Sequence, residues 1–233
     1  MIINAMIPAR LGSKRVYKKN IRMINNKPLI QYIIDTVKKT KIFDNIYLNS
    51  ESLIFKKIAN KNSINFYHRN KKLSSDRSTN DEFALDFIEN IKGDILIQIL
   101  PTSPLLLDSE LKEFVNYFKE NKLDTLISVQ NHKIASVYKK KPINFNKYKK
   151  NPPSQKMQPI QTYATVLMGW KYKNYKKNML KYNSAYHGGE GKIDYFPLTP
   201  LSCLDIDYEE DFQLVEKIII ANTNKRYKAK YFK

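Results

Sequence analysis

The sequence is poor in cysteine, histidine, glycine and arginine. One cysteine, Cys203, in 233 residues excludes an internal disulfide and fits a reducing, cytoplasmic setting. The three histidines, His68, His132 and His187, lack the paired spacing of a zinc site. No apolar run approaches the roughly 18–20 residues that span a bilayer. The opening "MIINAMIPA" is too short, and has no basic flank before it, for a signal peptide. No membrane partner is therefore expected. Only six of the 41 basic residues are arginine (10, 15, 22, 69, 77 and 226). Nucleic-acid readers lean on arginine for bidentate contacts, so no nucleic-acid partner is expected either. The formal charge of +19 is mostly lysine and travels with abundant Asn, Ile and Tyr. We read it as composition, and as weak support for any one anionic partner.

What is present is regular alternation. Residues 2–8 read as a short buried strand that Pro8 stops. Residues 28–40 carry apolar side chains at 29, 30, 33, 34 and 37, the spacing of an amphipathic helix. Further strands are predicted over 45–50, 64–69, 93–100 and 124–130. Helices are predicted over 52–62, 81–91 and 108–121, with Asn80 or Asp81, and Asp108 or Ser109, as caps. This order predicts a mostly parallel, Rossmann-like α/β sheet flanked by helices. Ligands in such sheets bind beyond the carboxyl ends of the strands, which puts loops 8–20, 69–80 and 101–107 on one rim. From 132 to 161 the chain is rich in Lys, Asn and Pro and reads as an excursion. Strands resume over 162–171 and 192–198, and 209–222 forms a last helix. The domain reading is one main domain, 1–131 and 162–233, with 132–161 as a small projecting arm. "HGGEG" (187–191) reads as a turn or mobile loop, and "TNKRYKAKYFK" (223–233) as a frayed basic end.

Two clusters suggest chemistry. In "PARLGSKRVYKKN" (8–20), Gly12 permits close backbone approach, Ser13 adds a hydroxyl, and Arg10 and Lys14 supply charge on the ligand rim. Neither Walker nor G-x-G-x-x-G spacing is present, and phosphate binding and a solvated basic loop are equally compatible with the pattern. In "LDID", Asp205 and Asp207 lie two apart in an extended segment and share a face. Such a pair suits Mg²⁺; alternatively Asp205 sits at the core rim and Asp207 caps the next helix. Glu209, Glu210 and Asp211 read as first-turn acids favoured by a helix N-terminus. Asp76 reads as a turn or cap residue, and Arg69, on its own, as an edge charge at a strand end.

"IPARLGSKRVYKKNIRMINNKPLIQYII" carries an A-R-x-G-S-K-x-x-x-K-N core followed by K-P-L-I. "HRNKKLSSDRSTNDEFALDFI", "LPTSPLLLDSEL" and "LDIDYEEDFQLVEKII" follow in order. Together these segments resemble the acylneuraminate (CMP-sialic acid synthetase) family of cytidylyltransferases, most weakly over 132–200. The resemblance implies a nucleotidyltransferase sheet and transfer of CMP from CTP to a nine-carbon α-keto sugar acid, with release of pyrophosphate. It implies catalytic roles for Arg10, Lys14 and Lys19, and nucleotide contacts from Ala9, Arg10, Gly12, Ser13, Lys14, Asn20, Arg69, Ser78 and Asn80. It implies acceptor contacts near Gln98, Thr102, Ser103, Gln161 and Tyr163, and a Mg²⁺ (or Mn²⁺) ion on Asp205 and Asp207. It also implies a homodimer through the arm, with Tyr138, Phe145 and Tyr148 as anchors. Arg15 and Lys18 then read as general Lys-rich surface.

The chain departs from the family pattern on the acceptor side. Leu100 stands where the family has Gln before "PTSPL", and Leu106 where it has Arg. Gln161 and Tyr163 stand at Arg and Asn places. Gln98, two residues before Leu100, shares its strand face. These departures predict an acceptor other than ordinary N-acetylneuraminate, a Kdo-like, pseudaminic or legionaminic acid, or a degenerate non-catalytic member.

Overall fold

Ile3, Ala5 and Ile7 pack on one side of strand β1 (Ile3–Pro8) and Met6 on the other, all of them buried. That is what period two gives in a strand covered on both faces. The computed structural model describes residues 1–223; beyond Thr223 the predicted basic tail lies outside the described residues. The other strands are β2 (Asn45–Ser50), β3 (Asn65–His68), β4 (Ile95–Ile99), β5 (Thr125–His132), β6 (Ile160–Lys171) and β7 (Ile193–Pro197). They form one seven-stranded sheet in the order β7-β5-β6-β4-β1-β2-β3. Only β6 runs antiparallel to its neighbours.

Helices α1 (Leu29–Thr40), α2 (Leu53–Lys61) and α4 (Asp108–Glu120) cover one face; α3 (Asn80–Asn90) and α5 (Tyr172–Tyr182) cover the other. Helix α6 (Glu209–Thr223) packs through Phe212, Val215 and Ile219 on Val16, Ile24 and Leu29, so the loop after β1 has its own apolar seat. No helix among the described residues is long and apolar enough to cross a membrane.

The predicted elements stand within a few residues of their places, with three differences. The cap of α3 is Thr79, whose side chain accepts from the Glu82 amide while Glu82 accepts from the Thr79 amide, a capping box one residue before the predicted position. Leu107 takes the N-cap place of α4, its amide bonded to Glu110, and Asp108 begins the helix instead of capping it. Helix α5 was not expected. Its buried face is Tyr172, Tyr175 and Asn178, a narrow and partly polar stripe among lysines.

Asn178 gives that face a purpose. Its amide donates to the carbonyls of Gly188 (2.6 Å) and Glu190 (3.0 Å) and accepts from the Glu190 amide. A Cβ at Gly189 would stand 2.6 Å from Asn178 Oδ1, at a φ of +54°. "HGGEG" is thus a turn tied to α5. Glu190 pairs with Lys177 (2.8 Å) and Lys181 and accepts from Tyr182. Between β5 and β6 the chain forms a short hairpin (Val137–Tyr138 with Lys141–Pro142) and a 3₁₀ turn (Ser154–Lys156). Only Met157 is buried there, and Ile160 pairs with His132, so residues 133–159 are the loop of one long antiparallel hairpin.

One buried cation ties the loops after β1, β2 and β3 together. Arg69, at the end of β3, donates to the Ala9 carbonyl (3.1 Å) and Ser74 Oγ (3.0 Å), lies 3.5 Å from Glu51, and places its guanidinium over Phe83. Glu51, just after β2, accepts from the Leu11 amide at 2.9 Å. Burial lowers the Arg69 pKa against the opposing pull of Glu51. Burial also works on Glu51, raising its pKa, but the Leu11 amide, Ser74 and Arg69 bring it below its ordinary value. Breaking such a buried pair costs roughly 3–5 kcal/mol because the surviving charge is stranded.

Two outcomes follow. Arg69→Ala should lower unfolding free energy by about 3 kcal/mol in urea titration; a loss under about 1 kcal/mol, the worth of a surface pair, would contradict the brace. Lys177 first, then Lys181 and Tyr182, hold the Glu190 carboxyl at about 2. A depressed carboxyl stabilises the fold above its unfolded value near 4.5 and loses that contribution as pH falls toward 2. Melting-temperature differences between the chain and Glu190→Gln should therefore close over that window.

Candidate functional site

The loops beyond β1, β3 and β4 and the segment before α6 enclose a cavity of about 360 Å³ at the carboxyl ends of the strands. Of the residues singled out in the sequence, Ala9, Arg10, Ser13, Lys14, Lys19, Asn20, Arg69, Ser78, Thr102, Asp205 and Asp207 line it. The "LDID" segment is positioned by its alternation. Ile206 is buried against Val16 and Leu29 and its amide bonds the Thr102 carbonyl (2.9 Å), while Asp205 and Asp207 line the cavity.

Opposite charges meet throughout the site. Asp76 bridges Arg10 (2.8 Å) and Lys14 (2.6 Å), which hold its carboxyl below the usual range, Lys14 more than Arg10. Arg15 pairs with Asp207 at 2.7 Å and lies over Tyr208. The Lys19 ammonium is largely buried; it donates to the Ile206 carbonyl and stands 3.6 Å from Asp207. Burial lowers its pKa, and Asp205 and Asp207 oppose that shift. Asn20 donates to the Arg10 carbonyl (3.2 Å), leaving Oδ1 buried at the cavity wall with no donor among the described residues.

Asp76, Arg15 and Glu51 were missed by sequence reading. Asp76 is not a mere turn residue and Arg15 is not general surface: each neutralises a charge across the cavity. The available signal was electrostatic, since five cations between residues 10 and 19 require counter-charges on a neighbouring loop.

Other expected site residues stand elsewhere. Gly12 does not line the cavity, its φ is not positive, and a Cβ there would meet open space, so this conformation does not require glycine. Asn80 and Gln98 pair with each other instead (2.8 Å), and Asn80 Nδ2 and Gln98 Oε1 are buried with no hydrogen-bond partner among the described residues. Ser103 is buried behind the cavity with its hydroxyl toward Asp205 (3.5 Å). Gln161 is exposed and donates to Asn131. Tyr163 is exposed beside His187 and Tyr195, and partial desolvation, with a contribution from Tyr195, pushes its phenol up to about 12. Leu100 lines the cavity, whereas Leu106 is in the core.

The donor set bears on a divalent cation. Among the described residues no group of three or more His, Cys, Asp or Glu side chains could hold a metal. Two carboxylates on one cavity wall match the chemistry of Mg²⁺, which takes one or two protein carboxylates and completes its shell with water and phosphate. In donor type, Asp205 and Asp207 fit such a cation.

Comparison with known proteins identifies the family. The chain matches the Cytidylyltransferase family over residues 4–225. An N-acylneuraminate cytidylyltransferase of Escherichia coli O18:K1:H7 is 26% identical over 233 residues, covering 91% of this chain and 51% of the relative. A Helicobacter pylori protein named as a pseudaminic acid cytidylyltransferase and hydrolase is 30% identical over 121 residues, covering 50% of this chain and 23% of the relative. The matched region thus spans about half or less of these relatives' own length. In fold, the chain is similar to a CMP:2-keto-3-deoxy-manno-octonic acid synthetase solved with CTP (TM-score 0.72, 12% identity, 95% of this chain and 100% of that one). With this sheet, this cavity and a family match over nearly its whole length, the chain belongs to the cytidylyltransferase family.

Proposed function

We propose that the chain transfers CMP from CTP to a hydroxyl of an acidic α-keto sugar and releases pyrophosphate. The observation that carries this reading is the facing of two charge sets across one cavity: Arg10 and Lys14 on the loop after β1, Asp205 and Asp207 before α6. Arg10 and Lys14 would hold the β- and γ-phosphates and offset the charge that develops on the departing pyrophosphate. Asn20, with its free Oδ1, offers an acceptor for a nucleoside hydroxyl or amine. Lys19 fastens the Ile206 carbonyl and Asp207 to the phosphate loop, which sets the distance between cations and carboxylates. Asp205 and Asp207 would hold Mg²⁺ (or Mn²⁺), which supplies Lewis-acid stabilisation of phosphate oxygens. Little covalent work is left to the protein beyond positioning.

The acceptor, in this reading, is an acidic sugar other than ordinary N-acetylneuraminate. Leu100 presents an apolar wall where a polar side chain is the family pattern. Gln161 and Tyr163 stand outside this cavity, and they carry neutral groups where the family pattern has a guanidinium and an amide. Leu106, being core, carries no weight in this argument. The reading includes a homodimer through residues 132–161, where Tyr138 and Tyr148 are exposed, and a cytoplasmic location on the strength of the unpaired Cys203.

Pyrophosphate release with CTP, Mg²⁺ and a panel of N-acetylneuraminate, pseudaminic, legionaminic and Kdo acids tests the reading. Turnover is expected with one of the last three, and poor turnover with the first. Lys14→Ala and Asp207→Asn should each lower it on the order of 10²-fold. Release with N-acetylneuraminate alone would overturn the acceptor assignment, and no release with any acid would assign the chain to the non-catalytic reading. Light scattering at micromolar protein should give the dimer mass; a monomer would remove the role given to the arm.

A further inference from the structure

Asp76 stands in the turn between the 3₁₀ segment Lys71–Ser74 and α3, on the loop facing the phosphate cations. Each of its carboxylate oxygens holds a different cation: Oδ1 lies 2.8 Å from Arg10 Nη1 and Oδ2 lies 2.6 Å from Lys14 Nζ. Among the described residues no other group donates to this carboxylate, and neither cation has a second carboxylate partner. A terminal phosphate, though tetrahedral where the carboxylate is planar, likewise offers the same pair of cations two anionic oxygens. The three side chains are 39%, 79% and 50% exposed, so these pairs are weak, exchangeable surface contacts. Arg69 differs in every respect: it is buried, multiply bonded and fixed.

We propose that Asp76 is an internal counter-anion of the phosphate grip, occupying Arg10 and Lys14 until a polyphosphate displaces it. The inference rests on the nucleotide reading above. It makes the site selective for chain length: a diphosphate or longer terminus can engage both cations and repay the loss of both pairs, whereas a monophosphate on the far side of the nucleotide does not reach them. It also gives pyrophosphate a competitor already tethered to the site, since the carboxylate reclaims both cations as the product leaves. Asp76 is in this sense a positioning residue, acting on the ligand through the cations it holds.

Titration calorimetry of the purified chain with CTP, CMP and inorganic pyrophosphate, without acceptor, tests the inference. Replacing Asp76→Asn frees both cations at nearly constant shape. From the worth of two exposed pairs, CTP and pyrophosphate should tighten on the order of three- to tenfold, with CMP unchanged. Asp76→Glu should restore affinities close to those of the unaltered chain. Lys14→Ala should cost more affinity for pyrophosphate in the Asp76→Asn background than alone, because the freed ammonium then carries more of the binding. A purely structural turn residue would change melting temperature and would not separate pyrophosphate from CMP. Equal or weaker binding of CTP and pyrophosphate by Asp76→Asn, or equal tightening of CMP, overturns the inference while leaving the nucleotide reading standing. An unaltered chain that binds neither CTP nor pyrophosphate overturns the nucleotide reading itself, and this inference with it.

Discussion

A guanidinium taken out of water must be surrounded by acceptors, and the way this chain satisfies Arg69 decides the shape of its site. The acceptors come from the loop after β1, through the Ala9 carbonyl, from Glu51 after β2, and from Ser74 on the loop after β3. Glu51 in turn takes the Leu11 amide. Three strand ends that the sheet brings near one another thereby become one unit. Burial without these partners would cost several kcal/mol, so the loops cannot drift apart independently. The cavity floor is rigid because its central charge has nowhere else to go.

Above that floor the rules change. Arg10, Lys14, Arg15 and Lys19 crowd one cavity, and like charges at such spacing repel unless carboxylates are interleaved. Asp76 and the Asp205/Asp207 pair supply them, from two segments far apart in sequence. The division is physical: interactions that define geometry are buried and multiply bonded, while the ion pairs at the cavity mouth are exposed and replaceable. Lys19 sits between the two classes, mostly desolvated yet in contact with the carboxylate segment.

What was legible in the sequence follows the same division. Strands and amphipathic helices read well because burial imposes a period, as in β1 or α1, and local turn chemistry fixes the ends. Helix α5 did not read, since Tyr172, Tyr175 and Asn178 form too narrow and too polar a face among lysines. Position, type and spacing single out the basic loop after β1 and the two aspartates, and the structure brings them to one cavity. Their partners did not read, because Arg10 and Asp76 are 66 residues apart and Arg15 and Asp207 are 192 apart; pairing of that range is a property of the fold. Arg69 showed most clearly how burial inverts a residue's meaning. By sequence alone it was an edge charge, and in the structure it is the brace. Gln98 and Asn80 carry the reverse lesson, two polar residues on the expected strand and helix that spend part of their capacity on each other.

The reversal of β6 has a further consequence. Every parallel strand delivers its carboxyl end to the ligand rim, but β6 delivers its beginning. The segment joining β5 to β6 therefore starts and finishes at the rim, never crossing beneath the sheet. Such a segment can lengthen, shorten or change composition without altering any other connection in the fold. The ends of β1, β2 and β3 are tied by long-range pairs on the opposite side of β4, and the 133–159 loop makes none of them. The architecture thus sets a braced group of strand ends beside a hairpin loop that no brace reaches.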